Sequence, residues 1–149
     1  MSRKALVLFD INGVLCNSVE KFSPRGNPYT ERTFNPEFYK LIKKLSPVAD
    51  VGVFTSMQRK NVIRVLERIP FKFSYVFYRN HCTPIEGESY KTRKNITNIQ
   101  EHLDSVDKVL LVDDSHYKVE KNPRSSYVIY KNESCKILYT RILISLNRM

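Results

Sequence analysis

No stretch of the 149-residue chain approaches the ~18 consecutive apolar residues of a membrane-spanning helix. The opening, "MSRKALVLFD", is too short in apolar residues for a secretory signal and has no small-residue cleavage site. Together these absences predict a cytoplasmic or nuclear location. Cysteine is sparse: Cys16, Cys82 and Cys135 are odd in number, widely spaced and without a CxxC pair. That excludes a zinc site or a disulfide framework and predicts reduced thiols. Repeats, low-complexity segments and linkers are also missing, so one domain is expected over residues 1–149. Although the net charge is +10, no arginine-rich run or nucleic-acid motif stands out. A nucleic-acid partner is therefore tolerated but not favoured. The charge fits either plain solubility or a field that draws phosphorylated or acidic partners.

What the chain does contain is a rhythm. Ala5–Phe9 is continuously apolar and reads as a buried strand, and residues 17–34 read as a long loop. A helix follows, with Asn35 as cap, Pro36 in the first turn and Phe38, Leu41, Ile42 and Leu45 on one face. Val51–Thr55 is a second strand, and Val62, Val65, Leu66 and Ile69 mark a second helix. Tyr75–Tyr78 is a third strand, and Ile96, Ile99 and Leu103 mark a third helix. Val109–Val112 and Tyr127–Tyr130 are further strands, and Leu138, Ile142 and Leu146 mark a closing helix. Apolar strands alternating with helices predict an α/β fold, a central parallel sheet with helices on both faces. Such sheets bind ligands at the carboxyl ends of their strands. Here those ends carry Asp10, Thr55-Ser56 and Asp113-Asp114.

These residue types suit phosphoryl transfer. A carboxylate such as Asp10 can act as a nucleophile and form an aspartyl-phosphate. Asp113 and Asp114 can complete an oxygen-ligand Mg²⁺ site with Asp10, and the metal offsets repulsion between nucleophile and phosphate. Thr55 or Ser56 can donate to a phosphate oxygen; both also read as a plain cap for the second helix. Lys94 or Lys91 can neutralise the remaining charge.

"FDINGVL", "VFTSM", a lysine ahead of a helix and "LLVDDSHYKVEKNP" resemble the four motifs of the haloacid dehalogenase superfamily. "YVFYRNHCT" and "VDDSHYKVEKNP" resemble its branch of RNA polymerase II C-terminal-domain phosphatases, over roughly Leu6 to Tyr130. The resemblance implies a three-layer, Rossmann-like fold. It implies a Mg²⁺-dependent phosphatase acting on phosphoserine or phosphothreonine of a protein or peptide. Asp10 is then the nucleophile, the backbone carbonyl of Asn12 a Mg²⁺ ligand and Thr55 the phosphate-binding hydroxyl, with Ser56 beside it. Lys94 matches the third-motif lysine, with Lys91 in reserve. Asp114 matches the direct metal ligand and Asp113 the acid that supports the site. Too few residues separate Thr55 from Lys94 for a cap domain, so an open site suited to a macromolecular substrate is expected.

The departure is Asn12. Active members of the family carry a second aspartate there, which protonates the leaving oxygen and then activates water. An amide does neither, and such acid–base help is worth roughly 10²–10⁴-fold. Three readings stay open: a binding-only pseudophosphatase or phosphate-binding adaptor, an enzyme using another acid or a leaving group that needs none, or an engineered substitution. A polynucleotide-end phosphatase is a further alternative. The oligomeric state is not legible.

Overall fold

The computed structural model describes residues 5–87, 91–119 and 124–149. The Asn122-Pro123 turn of the fourth motif lies outside the described residues. Strand β1 (Ala5–Phe9) is buried along its whole length. Its burial on both faces follows from its position. β1 is the middle strand of a five-stranded sheet ordered β5-β4-β1-β8-β9, with β4 at Asp50–Phe54, β5 at Tyr75–Phe77, β8 at Lys108–Asp113 and β9 at Ser125–Ile129. Every pairing in this sheet is parallel, and Val7 stands opposite Val51 on one side and Leu110 on the other. Successive side chains point to opposite faces, so Val7 and Phe9 enter one apolar layer, and Leu6 and Leu8 enter the other.

The first layer is roofed by α-helices. Helix α1 (Pro36–Leu45) is capped by Asn35, whose side chain accepts from the Glu37 N–H, and buries Phe38, Leu41, Ile42 and Leu45 as the spacing predicts. The Phe38 ring stands edge-on to Phe9 and Tyr130, with centroids 6.1 and 5.6 Å away. Helix α2 (Arg59–Leu66) adds Val62, and helix α3 (Cys135–Asn147) adds Leu138, Ile142 and Leu146.

The second layer differs in kind. Ile96, Ile99 and Leu103 are buried there as expected, but on two short 3-10 turns, Ile96–Asn98 and Gln100–His102. Asn95 and Asn98 flank Thr97, residues that compete for their own backbone and weaken an α-helix. The apolar spacing cannot tell a helix from such turns.

Residues 17–34 are a correction. The expected loop is mostly an antiparallel hairpin, β2 (Cys16–Phe22) against β3 (Pro28–Phe34), in register from Cys16 opposite Phe34 to Phe22 opposite Pro28. Pro24, Gly26 and Asn27 belong only to its turn, where Gly26 takes φ +82°. The strands gave no apolar alternation because the hairpin projects from the sheet, leaving Val19, Phe22 and Tyr29 exposed. A second small pairing joins β6 (Thr83–Pro84) to β7 (Thr92–Arg93). Among the described residues no helix is long and apolar enough to cross a membrane.

Gly52 lets β4 and β5 approach. A Cβ there would lie 2.7 Å from the Tyr75 carbonyl oxygen and 2.8 Å from Leu8 Cδ2. The carbonyl belongs to a paired strand and has little room to yield. Gly52→Ala is therefore expected to destabilise the chain by ~1–3 kcal/mol, read as a lower urea midpoint with an unchanged slope.

Candidate functional site

Parallel register brings the acids together. Phe9 stands opposite Val112, and the Asp10 N–H donates to the Val112 carbonyl at 2.9 Å. Asp10 and Asp113 are thus neighbours at the carboxyl edge, buried to 2% and 1% exposure. After Asp10 the chain turns sharply: the Cys16 N–H donates to the Ile11 carbonyl and the Gly13 N–H to the Cys16 carbonyl, both at 2.9 Å. The turn needs Gly13 at φ +81°. It also needs Gly13 for space, because a Cβ would stand 2.1 Å from Asp114 Oδ2. The missing side chain is where the Asp114 carboxylate lies.

Lys94 enters from the opposite layer. Its N–H donates to the Lys118 carbonyl, at 2.6 Å, and its side chain is buried. The Lys94 ammonium sits 3.1 Å from Asp10 Oδ1 and donates to Asp113 Oδ2. Burial by itself would lower the Lys94 pKa, but the Asp10 and Asp113 carboxylates outweigh it and hold the group above its usual range. Burial, and then the Asp10 charge, push the Asp113 carboxyl up to about 7 against the pull of Lys94 and Lys118.

The expected residues are distributed unequally. Lys94, not Lys91, occupies the acid cluster; Lys91 is exposed and lies over the Tyr117 ring at 5.0 Å. Thr55 is buried just past the β4 residue level with Asp10, its N–H bonded to the Phe77 carbonyl at 3.0 Å. Its Oγ1 accepts from the Met57 N–H at 3.1 Å, so its own proton is free to be donated. Ser56 is half-buried beside it. Neither caps α2, whose cap position is Gln58. Cys16 is a packed thiol, pushed up to about 11 by burial.

Two features escaped the sequence. Lys118 reaches in, 4.0 Å from Asp10 Oδ2 and 3.6 Å from Asp114 Oδ1; its spacing of four from Asp114 was the only available signal. The Asn12 side chain is also held. Ser18 and Arg32 face each other across the hairpin, and both donate to Asn12 Oδ1, at 2.9 and 3.1 Å. That fixes the amide with its oxygen toward the hairpin and its NH₂ free. No local pattern links residues so far apart in the chain.

The donor set fits a hard divalent cation. Oxygens of Asp10, Asp113 and Asp114 lie within 4.8 Å of one another, and all-oxygen sites suit such ions. Asp113 is engaged on both oxygens, by Lys94 and by the Ser115 N–H at 3.2 Å. Asp10 Oδ2 is buried with no hydrogen-bond partner, which costs free energy unless something charged or polar meets it. When all are ionised, the three carboxylates and the ammonium groups of Lys94 and Lys118 leave one negative charge uncompensated.

The model of the NLI interacting factor-like phosphatase family matches residues 5–133. No curated protein matches the sequence. Among solved structures, the fission yeast RNA polymerase II CTD phosphatase Fcp1, as a variant bound to beryllium fluoride, aligns at TM-score 0.48 and 12% identity, covering 98% of this chain and 51% of the other. A second structure of Fcp1, described as an essential RNA polymerase II CTD phosphatase, aligns at TM-score 0.47 and 13% identity, covering 98% and 49%. The chain spans about half the length of these structures.

Two outcomes follow from the buried charges. Lys94→Ala removes the cation buried between Asp10 and Asp113 and is expected to cost ~3–5 kcal/mol, measured by chemical denaturation. Asp113 has a higher pKa folded than its free value of 3.8, so its contribution to stability is fully present below that value and is lost as pH rises through about 7. Thermal melts in metal-free buffer should fall across that window, and Asp113→Asn should flatten the fall.

Proposed function

The chain belongs to the NLI interacting factor-like phosphatase family, and from that premise we propose that it removes phosphate from phosphoserine or phosphothreonine in a protein, using Asp10 as nucleophile. The observation that carries this reading is Asp10 Oδ2, a buried carboxylate oxygen with no hydrogen-bond donor. Its sister oxygen is held by the Ile11 N–H at 2.9 Å and by Lys94 at 3.1 Å. One oxygen is thereby fixed and the other left free to react.

In the first step Asp10 Oδ2 bonds to phosphorus, and the phosphorus–oxygen bond to the serine or threonine breaks. In the second, water attacks the aspartyl-phosphate, phosphate leaves and the carboxylate returns. Lys94 and Lys118 counter the charge on the phosphoryl oxygens, and the Thr55 hydroxyl donates to one of them. Asp10, the backbone carbonyl of Asn12 and Asp114, supported by Asp113, would hold a Mg²⁺ ion, which supplies further charge neutralisation when bound. Asn12 offers its NH₂ as a hydrogen-bond donor but no proton, so the leaving oxygen must take its proton from solvent.

Asn12 also favours a second reading, a phosphate-binding adaptor that turns over slowly or not at all. Its amide is tethered to Arg32 and Ser18, so the side chain is ordered for binding whether or not chemistry follows.

A chromogenic phosphate ester with Mg²⁺ separates the two. Asn12→Asp is expected to raise the rate roughly 10²–10⁴-fold, and Asp10→Asn in that background to abolish it. No gain in Asn12→Asp would overturn the catalytic lineage. Mg²⁺ is expected to raise the melting temperature of the native chain and to do so less for Asp114→Asn, read by calorimetry without substrate.

A further inference from the structure

Between the outer hairpin strand β3 and helix α2 runs a groove of about 440 Å³. Arg32 lines it from β3, Asn61, Arg64 and Arg68 line it from α2 and the turn after it, and Val65 and Ile69 add apolar lining. Arg64 and Arg68 are four residues apart and exposed, and among the described residues neither pairs with a carboxylate. Like charges at that spacing repel. Glu31, the acid in the groove, is paired with Lys21 at 2.7 Å. Three arginines therefore line one cleft whose acid is already paired. Arg32 also donates to Asn12 Oδ1 at 3.1 Å, so one lining residue of the groove touches the loop that follows Asp10.

We propose that this groove binds a second phosphoryl group on the same polypeptide, next to the one presented to Asp10. The inference rests on the phosphoprotein reading above and narrows it to multiply phosphorylated segments. Planar guanidinium forks match phosphate oxygens two at a time, which is why arginine is the fitting residue here. The wall favours a polypeptide over a nucleic acid. β2 and β3 form a two-stranded sheet among the described residues, so an extended chain can lie along the strand edge and pair with its backbone. Of the groove's lining residues, Tyr29 and Phe34 are aromatic. A single strand of nucleic acid would instead seek a row of stacking rings.

The test uses the native chain with Mg²⁺ and fluorescein-labelled phosphoserine peptides at fixed ionic strength. The second phosphate is placed roughly two to six residues from the first, at ~3.3 Å per extended residue. The best doubly phosphorylated peptide should bind roughly tenfold tighter than the singly phosphorylated one. Arg64→Ala with Arg68→Ala should erase that gain and leave binding of the singly phosphorylated peptide unchanged; Arg→Lys at both should restore it in part. Equal affinity for the two peptides overturns the proposal. So does a loss in the double variant that is the same for both. Glutamate in place of the second phosphoserine should recover only part of the gain; a full gain would overturn the assignment to phosphate. A single-stranded oligonucleotide that displaces the peptide, binds more tightly and depends on the same arginines would give the groove to nucleic acid and overturn it as well. Failure of the underlying reading looks different: the singly phosphorylated peptide would then bind no better than the unphosphorylated one.

Discussion

The Lys94 ammonium, buried between Asp10 and Asp113, is the contact on which the rest of the site depends. Parallel pairing of β1 with β8 forces two carboxylates into one dry corner. Without a cation between them, desolvation and mutual repulsion would drive protons onto one or both. Even with Lys94 present, Asp113 is pushed up to about 7. Its backbone N–H also donates to the Lys118 carbonyl, which joins the segment after β7 to the segment after β8. A single side chain thus joins the acids that close β1 and β8.

Around that contact the site is built by subtraction as much as by addition. Gly13 leaves the volume that Asp114 fills. Thr55 uses its oxygen on the Met57 N–H and keeps its proton available. Asn12 is turned by Ser18 and Arg32 so that its donors face away from the hairpin. For Thr55 and Asn12 a hydrogen bond decides which face of a polar group is left for a ligand. Asp10 Oδ2 is the extreme example, a buried oxygen that the protein itself does not satisfy. The hairpin that orients Asn12 also walls the arginine groove, and Arg32 takes part in both.

Much of this was legible from residues alone, for identifiable reasons. The strand ends could be read because buried parallel strands are apolar throughout, so Asp10 and Asp113-Asp114 interrupt their runs conspicuously. α1 could be read because cap, proline and apolar spacing agree, and Asn35 does bond the Glu37 N–H. The hairpin could not, because only its root, Cys16 and Phe34, packs on the core and its strands carry no alternation. The segment from Ile96 to His102 kept its buried residues but not its helix, because three apolar positions constrain a face and not a backbone. Lys118 and Arg32 did not stand out for a simpler cause: lysine and arginine abound in this chain, and their value depends on where the fold delivers them.

The order of apolar runs, and the polar residues that close them, determined by themselves an α/β sheet with acids and hydroxyls along its carboxyl edge. They did so because burial on both faces demands continuous apolar strands, and a charge at a strand end is then exceptional. Only the tertiary structure decided which lysine enters the acid cluster, which atom of Asn12 is occupied and which arginines share a cleft. Those outcomes depend on distances between residues remote in sequence, set by strand register and by where the hairpin places its side chains, and neither is written in any local pattern.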